Sequence, residues 1–462
     1  MLRSLPESYG AERVSSEDRI GSLRCQTWLW ATTNLNPFVI AYGFIVMESG
    51  LSWPGAMWAI LVGGVVGYSL LGFVAVAGPR GGRPTMALSR LVFGRVGNCL
   101  PGTATYLALL GWSAVNLVLA VLAAGSLFRR VHIGVQEHVR LICFMVAALI
   151  VIVLAFFGYR LVMAVQPWIG IFSTATVLVY VAFTADLIRL PTQETYAKSP
   201  AAYAGGAVFV LAAGGLAWVM VGTDYSRYLP ESSKSVGVWA WTALGGGLPA
   251  VVLMLYGVLL CASHPQLAAG AAADPVGALA GLAPSWLGPV FLGVTVVGFT
   301  SNAAINLYSS GLAILALGVS LKRSVAVLAS GMLMLVAAGY LVFVSPGLSA
   351  TFESFLAVLG VPIAAWCAVF LTESRRMGKW LGAVSHTRAF SNTVAVVLAS
   401  FVGFGLITSR DPALQALFGY LLTEHATELG WGRANVGVPA AFVFGWAFSR
   451  VLLLRRGETS ES

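Results

Sequence analysis

From Pro54 to Ala77 no side chain carries a charge, and at the helical rise of about 1.5 Å per residue the stretch is long enough to cross a bilayer core. Comparable apolar stretches recur at residues 27–47, 103–128, 141–157, 161–185 and 203–222, and again at 236–263, 286–321, 324–344, 352–372, 389–408 and 436–454. Hydrocarbon offers backbone groups no hydrogen-bond partner, so spans of this kind are helices. The pattern predicts an all-α integral membrane protein of about 12 transmembrane helices. One transmembrane domain is expected over residues 25–455, with an N-terminal tail at 1–24 and a short C-terminal tail at 456–462.

The composition agrees, with 58% hydrophobic and only 10% charged residues. Ordinary soluble domains hold about 25% charged residues. The first residues are polar and include Arg3, Arg13, Arg19 and Arg24, so they read as a cytoplasmic tail and not as a secretory signal. Cys25, Cys99, Cys143, Cys261 and Cys367 are scattered, which suggests neither a disulfide framework nor a zinc site.

A net charge of +9 invites a nucleic-acid reading, but the basic residues sort by side of the membrane. With the N-terminus inside, most of the 27 Lys and Arg fall in inner tails and loops. They include Arg80, Arg83, Arg90 and Arg95 after helix two, Lys322 and Arg323 after helix eight, and Arg375, Arg376 and Lys379 after helix ten. Topology then explains the charge, and no nucleic-acid partner is expected. Both termini are placed in the cytoplasm, in a multi-pass protein of the cell membrane. Arg129, Arg130 and Arg140 run against the rule, since they fall outside in this scheme.

Within the spans, polar residues cluster in few places. Thr32, Thr33, Asn34, Asn36 and Pro37 interrupt helix one. Proline removes a helical donor and frees carbonyls, which a bound ion or polar solute can satisfy where lipid cannot. Glycines at 205, 206, 214 and 215 mark a second candidate break in helix six, where an inverted five-helix repeat places one. Gly63, Gly64 and Gly67 read as close helix packing.

Membrane sites for charged solutes carry ionisable residues. Here Glu48, Asp186, Asp224 and Glu353 fall at helix ends, and the five histidines fall in or beside loops, so a neutral solute is expected. The interiors offer aromatic faces and neutral amides. Trp112 and Asn116, four residues apart, share one helical face, where an indole can stack on a ring while the amide bonds its edge. Helix eight carries the run Phe299, Thr300, Ser301, Asn302, Ala303, Ala304, Ile305, Asn306. Thr300 and Ser301 can offer oxygens to sodium and Asn306 can reach a solute, although membrane hydroxyls often bond only their own backbone.

At these residues the chain resembles the nucleobase:cation symporter-1 family, the cytosine, purine, allantoin and hydantoin permeases. The likeness extends to Thr223, Asp224, Tyr225, Ser226, Arg227 and Tyr228 after helix six, to Gly50, Leu51 and Ser52, to residues 88–94, and to Gly111 and Trp112. It implies a LeuT-type fold of two inverted five-helix repeats followed by two further helices, and an importer of a neutral planar heterocycle driven by sodium or protons. No cofactor beyond the coupling ion, and no enzymatic activity, is expected. By the resemblance, Trp112 stacks on the substrate and Asn116 and Asn306 contact it. Thr33 and Asn34 are the expected contacts at the helix-one break, and on helix six Gly215 stands where the family has an aromatic, with Trp218 the nearest ring. Sodium would be held by Thr300, Ser301 and the carbonyls of Val297 and of helix one near Ala31. An amino-acid or other small-solute permease of the same fold, and an uncoupled facilitator, are the alternatives.

Overall fold

A membrane helix can stop in mid-span only where side chains replace the lost backbone partners, and helix one meets that condition. Its first half, Leu23–Asn34, and its second half, Pro37–Glu48, meet at a bend of 57°. The Asn36 side chain accepts from the Phe38 N–H and so caps the second half, with Pro37 at its first position. The break predicted from the polar run is thus present.

The computed structural model describes residues 9–132, 134, 137–191, 199–267, 274–344, 348–377, 382–409 and 416–457. The first eight residues of the predicted N-terminal tail, Lys379, and residues 458–462 of the predicted C-terminal tail lie outside them. Beyond helix one, the spans are helix two (Trp53–Ala75), three (Cys99–Arg130), four (Glu137–Phe157), five (Tyr159–Thr184) and six (Pro200–Ala213, continued in short turns to Ser226). The second half supplies helix seven (Ser235–Ser263), eight (Leu287–Ala316), nine (Arg323–Phe343), ten (Leu348–Met377), eleven (His386–Phe404) and twelve (Gly437–Gly457). Among the described residues ten helices are long and apolar enough to cross a membrane, and the bent pair of helix one makes an eleventh. Gly437–Gly457 is the twelfth segment of the expected set.

The packing repeats when every helix number is advanced by five. Helix one lies on helix seven, and correspondingly helix six lies on helix two. Helices four and five pack on helix eight, and helices nine and ten pack on helix three. Helix three pairs with helix eight, and helix two with helix seven, across the centre. Such a map is consistent with two inverted five-helix units, with helices eleven and twelve outside them and packed on each other.

Helix six breaks at Gly214, whose backbone (φ −92, ψ −116) leaves the helical region. Gly205 and Gly206, also proposed from sequence as marking the break, lie inside the intact first half. Gly215 serves a different purpose. A Cβ there would fall 2.0 Å from the carbonyl carbon of Gly67, so helices two and six touch backbone to backbone.

On the side of the chain's N-terminus, residues 9–22 are bound to the bundle. Val14 donates its N–H to Gly82 O, Gly21 donates to Tyr228 O, and the Arg19 guanidinium donates to Pro79 O at 2.8 Å. On the opposite side, Arg129 pairs with Asp274 at 3.2 Å and Arg130 donates to Ala280 O at 2.7 Å. These two arginines, which offend the charge rule, close the C-terminal end of helix three, where cations offset the helix dipole. Glu373, fully buried on helix ten, pairs with Arg388 of helix eleven at 2.6 Å.

The Gly67–Gly215 contact leaves no room for a side chain. Gly215→Val should destabilise the protein by about 1–3 kcal/mol or more, because the atoms met are backbone and cannot rotate away. Melting curves of the solubilised protein should show a clear fall in Tm for this variant and none for Gly293→Ala, whose added methyl meets nothing within 4 Å.

Candidate functional site

The two broken helices and the central pair, three and eight, converge on one cavity. Its lining comprises Thr33, Asn34, Asn36, Phe38, Val39 and Tyr42 of helix one, Trp112 and Asn116 of helix three, Ala213, Ala217 and Trp218 of helix six, and Phe299, Asn302 and Asn306 of helix eight. Among these described residues none is an acid, a base or a histidine. The expected contacts Trp112, Asn116, Asn306, Thr33, Asn34 and Trp218 are all brought together here.

Gly215 is not. It faces helix two while Trp218, three residues on, reaches the cavity; this corrects the expectation for Gly215, and the cause is the backbone contact with Gly67. Asn36, from the polar run that interrupts helix one, lines the cavity as well, and Phe38, Val39, Tyr42, Ala213, Ala217, Phe299 and Asn302 are lining residues not expected from the sequence. Asn302 stood within the polar run on helix eight, so density of amides was the available signal. The small and aromatic residues carried none, because they are common in any membrane span.

The amides are held before any ligand arrives. Asn34 donates through Nδ2 to Trp30 O at 2.9 Å, and its Oδ1 accepts from the Tyr68 hydroxyl at 2.6 Å. Tyr68, on helix two, reaches that position because Gly214, Gly246 and Gly247 leave space around its ring. Asn116 donates to Trp112 O at 2.8 Å, and Asn306 donates to Asn302 O at 3.0 Å. Asn302 in turn donates to Thr33 O at 3.0 Å, which ties helix eight to the break of helix one. Locking side chains in this way reduces the entropy a ligand must cost on binding. Trp112 stands edge-to-face on Phe355 of helix ten, 6.1 Å between ring centres, which fixes the plane it presents.

The residues expected to hold sodium sit beside the cavity and do not line it. Thr300 donates its hydroxyl to Val296 O at 2.6 Å, in its own helix. Ser301 accepts from Gln166 Nε2 at 2.8 Å. The Val297 side chain is half exposed on the outer surface of the bundle. Ala31 O accepts from the Leu35 N–H at 2.8 Å.

Closure differs at the two ends. Toward the N-terminal side, Trp30 lies edge-on to Trp218 at 5.8 Å and to Tyr225 at 6.0 Å, and Tyr225 lies against Tyr308. Beneath them Arg227, fully buried, donates to Gly10 O, Tyr228 Oη and Tyr308 Oη at 2.8, 3.2 and 3.3 Å. Asp224 accepts from the N–H and hydroxyl of Thr85, at the start of the short helix Thr85–Gly97. Toward the other side the cover is one layer of rings, Phe38 on Tyr42 at 4.9 Å and Tyr42 on Phe209 at 5.5 Å. Beyond it opens a vestibule of about 270 Å³, lined by Ile45, Glu48, Phe209, Arg433 and Asn435 among others. The inner cavity has about 30 Å³ of free space. That leaves room for water-sized occupants.

A family model for a permease for cytosine/purines, uracil, thiamine and allantoin matches residues 13–395. The chain is 26% identical over 310 residues to the YxlA protein of Bacillus subtilis, covering 64% of this chain and 62% of that protein. It is 24% identical over 258 residues to the purine-cytosine permease FCY21 of Saccharomyces cerevisiae, covering 54% of this chain and 47% of the relative. The matches thus span between about half and three fifths of these relatives. In fold it is similar to Mhp1, a nucleobase-cation-symport-1 family transporter solved in a closed conformation with bromovinylhydantoin bound, with a TM-score of 0.69 at 15% identity over 98% of this chain and 96% of that one.

Tyr68→Phe should leave Asn34 Oδ1 without its 2.6 Å donor inside the bundle. An unmet buried acceptor costs about 1–3 kcal/mol. The variant should therefore melt several degrees lower than the parent, and an unchanged Tm would show that Asn34 does not depend on this bond.

Proposed function

The chain belongs to the family of permeases for cytosine, purines, uracil, thiamine and allantoin, and on that premise we propose that it imports a neutral, planar, nucleobase-like heterocycle by cation-coupled symport. The observation that carries this reading is the lining of the central cavity: the rings of Trp112, Trp218 and Phe299 beside the amides of Asn34, Asn116, Asn302 and Asn306, with no ionisable acid or base among the described lining residues. A flat heterocycle has a π face for the indole and a rim of donors and acceptors for amides, and an amide matches such a rim because it carries both.

In this reading Trp112 stacks on the ring, Trp218 approaches from helix six, and Asn116 and Asn306 bond the ring edge with Thr33 and Asn34 at the helix-one break. The two unequal closures support alternating access. The single layer of Phe38, Tyr42 and Phe209 is the outer gate, and the stack of Trp30, Tyr225, Tyr308 and Arg227 is the inner one. Placing the N-terminal side in the cytoplasm of the cell membrane agrees with the bias of Lys and Arg toward that side. Uptake against a gradient requires coupling to sodium or protons. Cation binding and solute binding then strengthen each other by the same factor, as linkage demands.

An amino-acid permease on this scaffold has to meet an ammonium and a carboxylate together. The lining of aromatic rings and neutral amides favours an uncharged solute, because a buried charge without a counter-charge is costly. A facilitator on the same fold would carry the solute without accumulating it.

Cells expressing the protein should accumulate one or more of labelled cytosine, uracil, adenine, allantoin and hydantoin, and collapse of the ion gradients should abolish accumulation. Trp112→Ala should weaken binding by about 1–3 kcal/mol, the worth of an aromatic–base stack, or about 5- to 150-fold in Kd. Unchanged uptake by that variant would refute the stacking role, and flux without accumulation would make the protein a facilitator.

A further inference from the structure

Helices one and eight meet beside the cavity along a seam where Thr32 faces Ser301, and the gap between them is filled from a third helix. Gln166, on helix five and only 1% exposed, accepts from the Thr32 hydroxyl through Oε1 at 2.8 Å and donates through Nε2 to Ser301 Oγ at 2.8 Å. Helix five comes close enough because Gly170, one turn on, lies against Thr32, where a Cβ would fall 2.3 Å from Cγ2. We propose that the Gln166 amide takes the place of a cation in the seam between helices one and eight, so that this seam does not bind sodium and sodium held there is not the coupling ion. The consequence for coupling rests on the transporter reading above; the statement about the seam does not.

Several carbonyl oxygens beside the seam already accept hydrogen bonds within the protein. Thr33 O, freed by the break, accepts from Asn36 Nδ2 and Asn302 Nδ2, both at 3.0 Å. Ala31 O accepts from the Leu35 N–H, and Trp30 O accepts from the Thr33 hydroxyl and from Asn34 Nδ2, both at 2.9 Å. With Nε2 toward Ser301, an N–H dipole points at the oxygen that would face the ion, and it repels a cation. Turning the amide over exchanges donor and acceptor but keeps the bridge, since Thr32 can then donate to Leu29 O, 2.9 Å away, and Ser301 can donate to the amide oxygen. In either orientation the side chain spans from helix one to helix eight.

The function of a cation in such a seam is to hold two helices together by attracting oxygens from both. A neutral amide that donates to one helix and accepts from the other does the same without a gradient and at any pH. Gln166 is therefore a positioning residue. It keeps the first half of helix one against helix eight, and the ion-dependent step of the cycle lies elsewhere.

The test uses the full-length solubilised protein and the ion alone. Its melting curve is recorded in NaCl, KCl and choline chloride at one ionic strength, because a ligand that binds the folded state raises Tm. The expected result is the same Tm in all three salts. A sodium-specific rise of several degrees that Ser301→Ala removes would overturn the proposal; a rise that persists in Ser301→Ala places the ion away from the seam and upholds it. Gln166→Met keeps the length and removes both bonds, and it should melt several degrees lower in every salt; an unchanged Tm would also overturn the proposal. These curves involve no transported solute, so a failure of all the bases to bind or accumulate would count against the substrate reading and leave the seam decided.

Discussion

A helix that stops in the middle of a membrane leaves carbonyls with no water to turn to, and in this protein side chains together with a backbone N–H meet that need. At the break of helix one, Trp30 O, Ala31 O and Thr33 O each find donors within the protein. The donors come from the break itself, through Thr33, Asn34, Leu35 and Asn36, and from helix eight through Asn302. The same amides line the cavity, so the groups that make the break tolerable are also groups that face it. Stability and recognition are coupled at this one place, because a buried amide left without partners is costly.

The two ends of the cavity are closed by different amounts of structure. Away from the N-terminal side, the Phe38, Tyr42 and Phe209 rings lie edge-on to one another over the cavity. On the N-terminal side the Trp30, Trp218, Tyr225 and Tyr308 rings meet edge-on or tilted, above the hydrogen bonds of the buried Arg227. The bond from Arg227 to Gly10 O also brings the N-terminal segment into that closure. A polar tail in the sequence is thus, from residue 9 onward, part of the closed wall.

Several parts of the site were legible in the chain because they are anomalies in an apolar context. Two Asn and two Thr within one short stretch of a span stand out, and so do the amides of helix eight and the i, i+4 pair Trp112 and Asn116. What was not legible obeys local rules while acting at long range. Tyr68 and Gln166 are single polar groups in separate helices, and neither shows in the chain which helix it will meet. Gly215 and Gly214 are adjacent and chemically identical, yet one contacts helix two and the other breaks helix six. Phe38, Tyr42 and Phe209 have the composition of ordinary packing residues, and only their mutual placement makes a layer of rings beside the cavity.

The sequence by itself determined the class of the molecule, the order of its apolar helices, the break in helix one and the sparse charge of their interiors, because hydropathy and helix-breaking chemistry act within a few residues. The tertiary structure decided which carbonyls are already satisfied, that Trp218 and not Gly215 faces the cavity, and that Gln166 stands between Thr32 and Ser301. Those facts depend on which faces of distant helices meet at hydrogen-bond distance, and no local pattern in a chain carries that information.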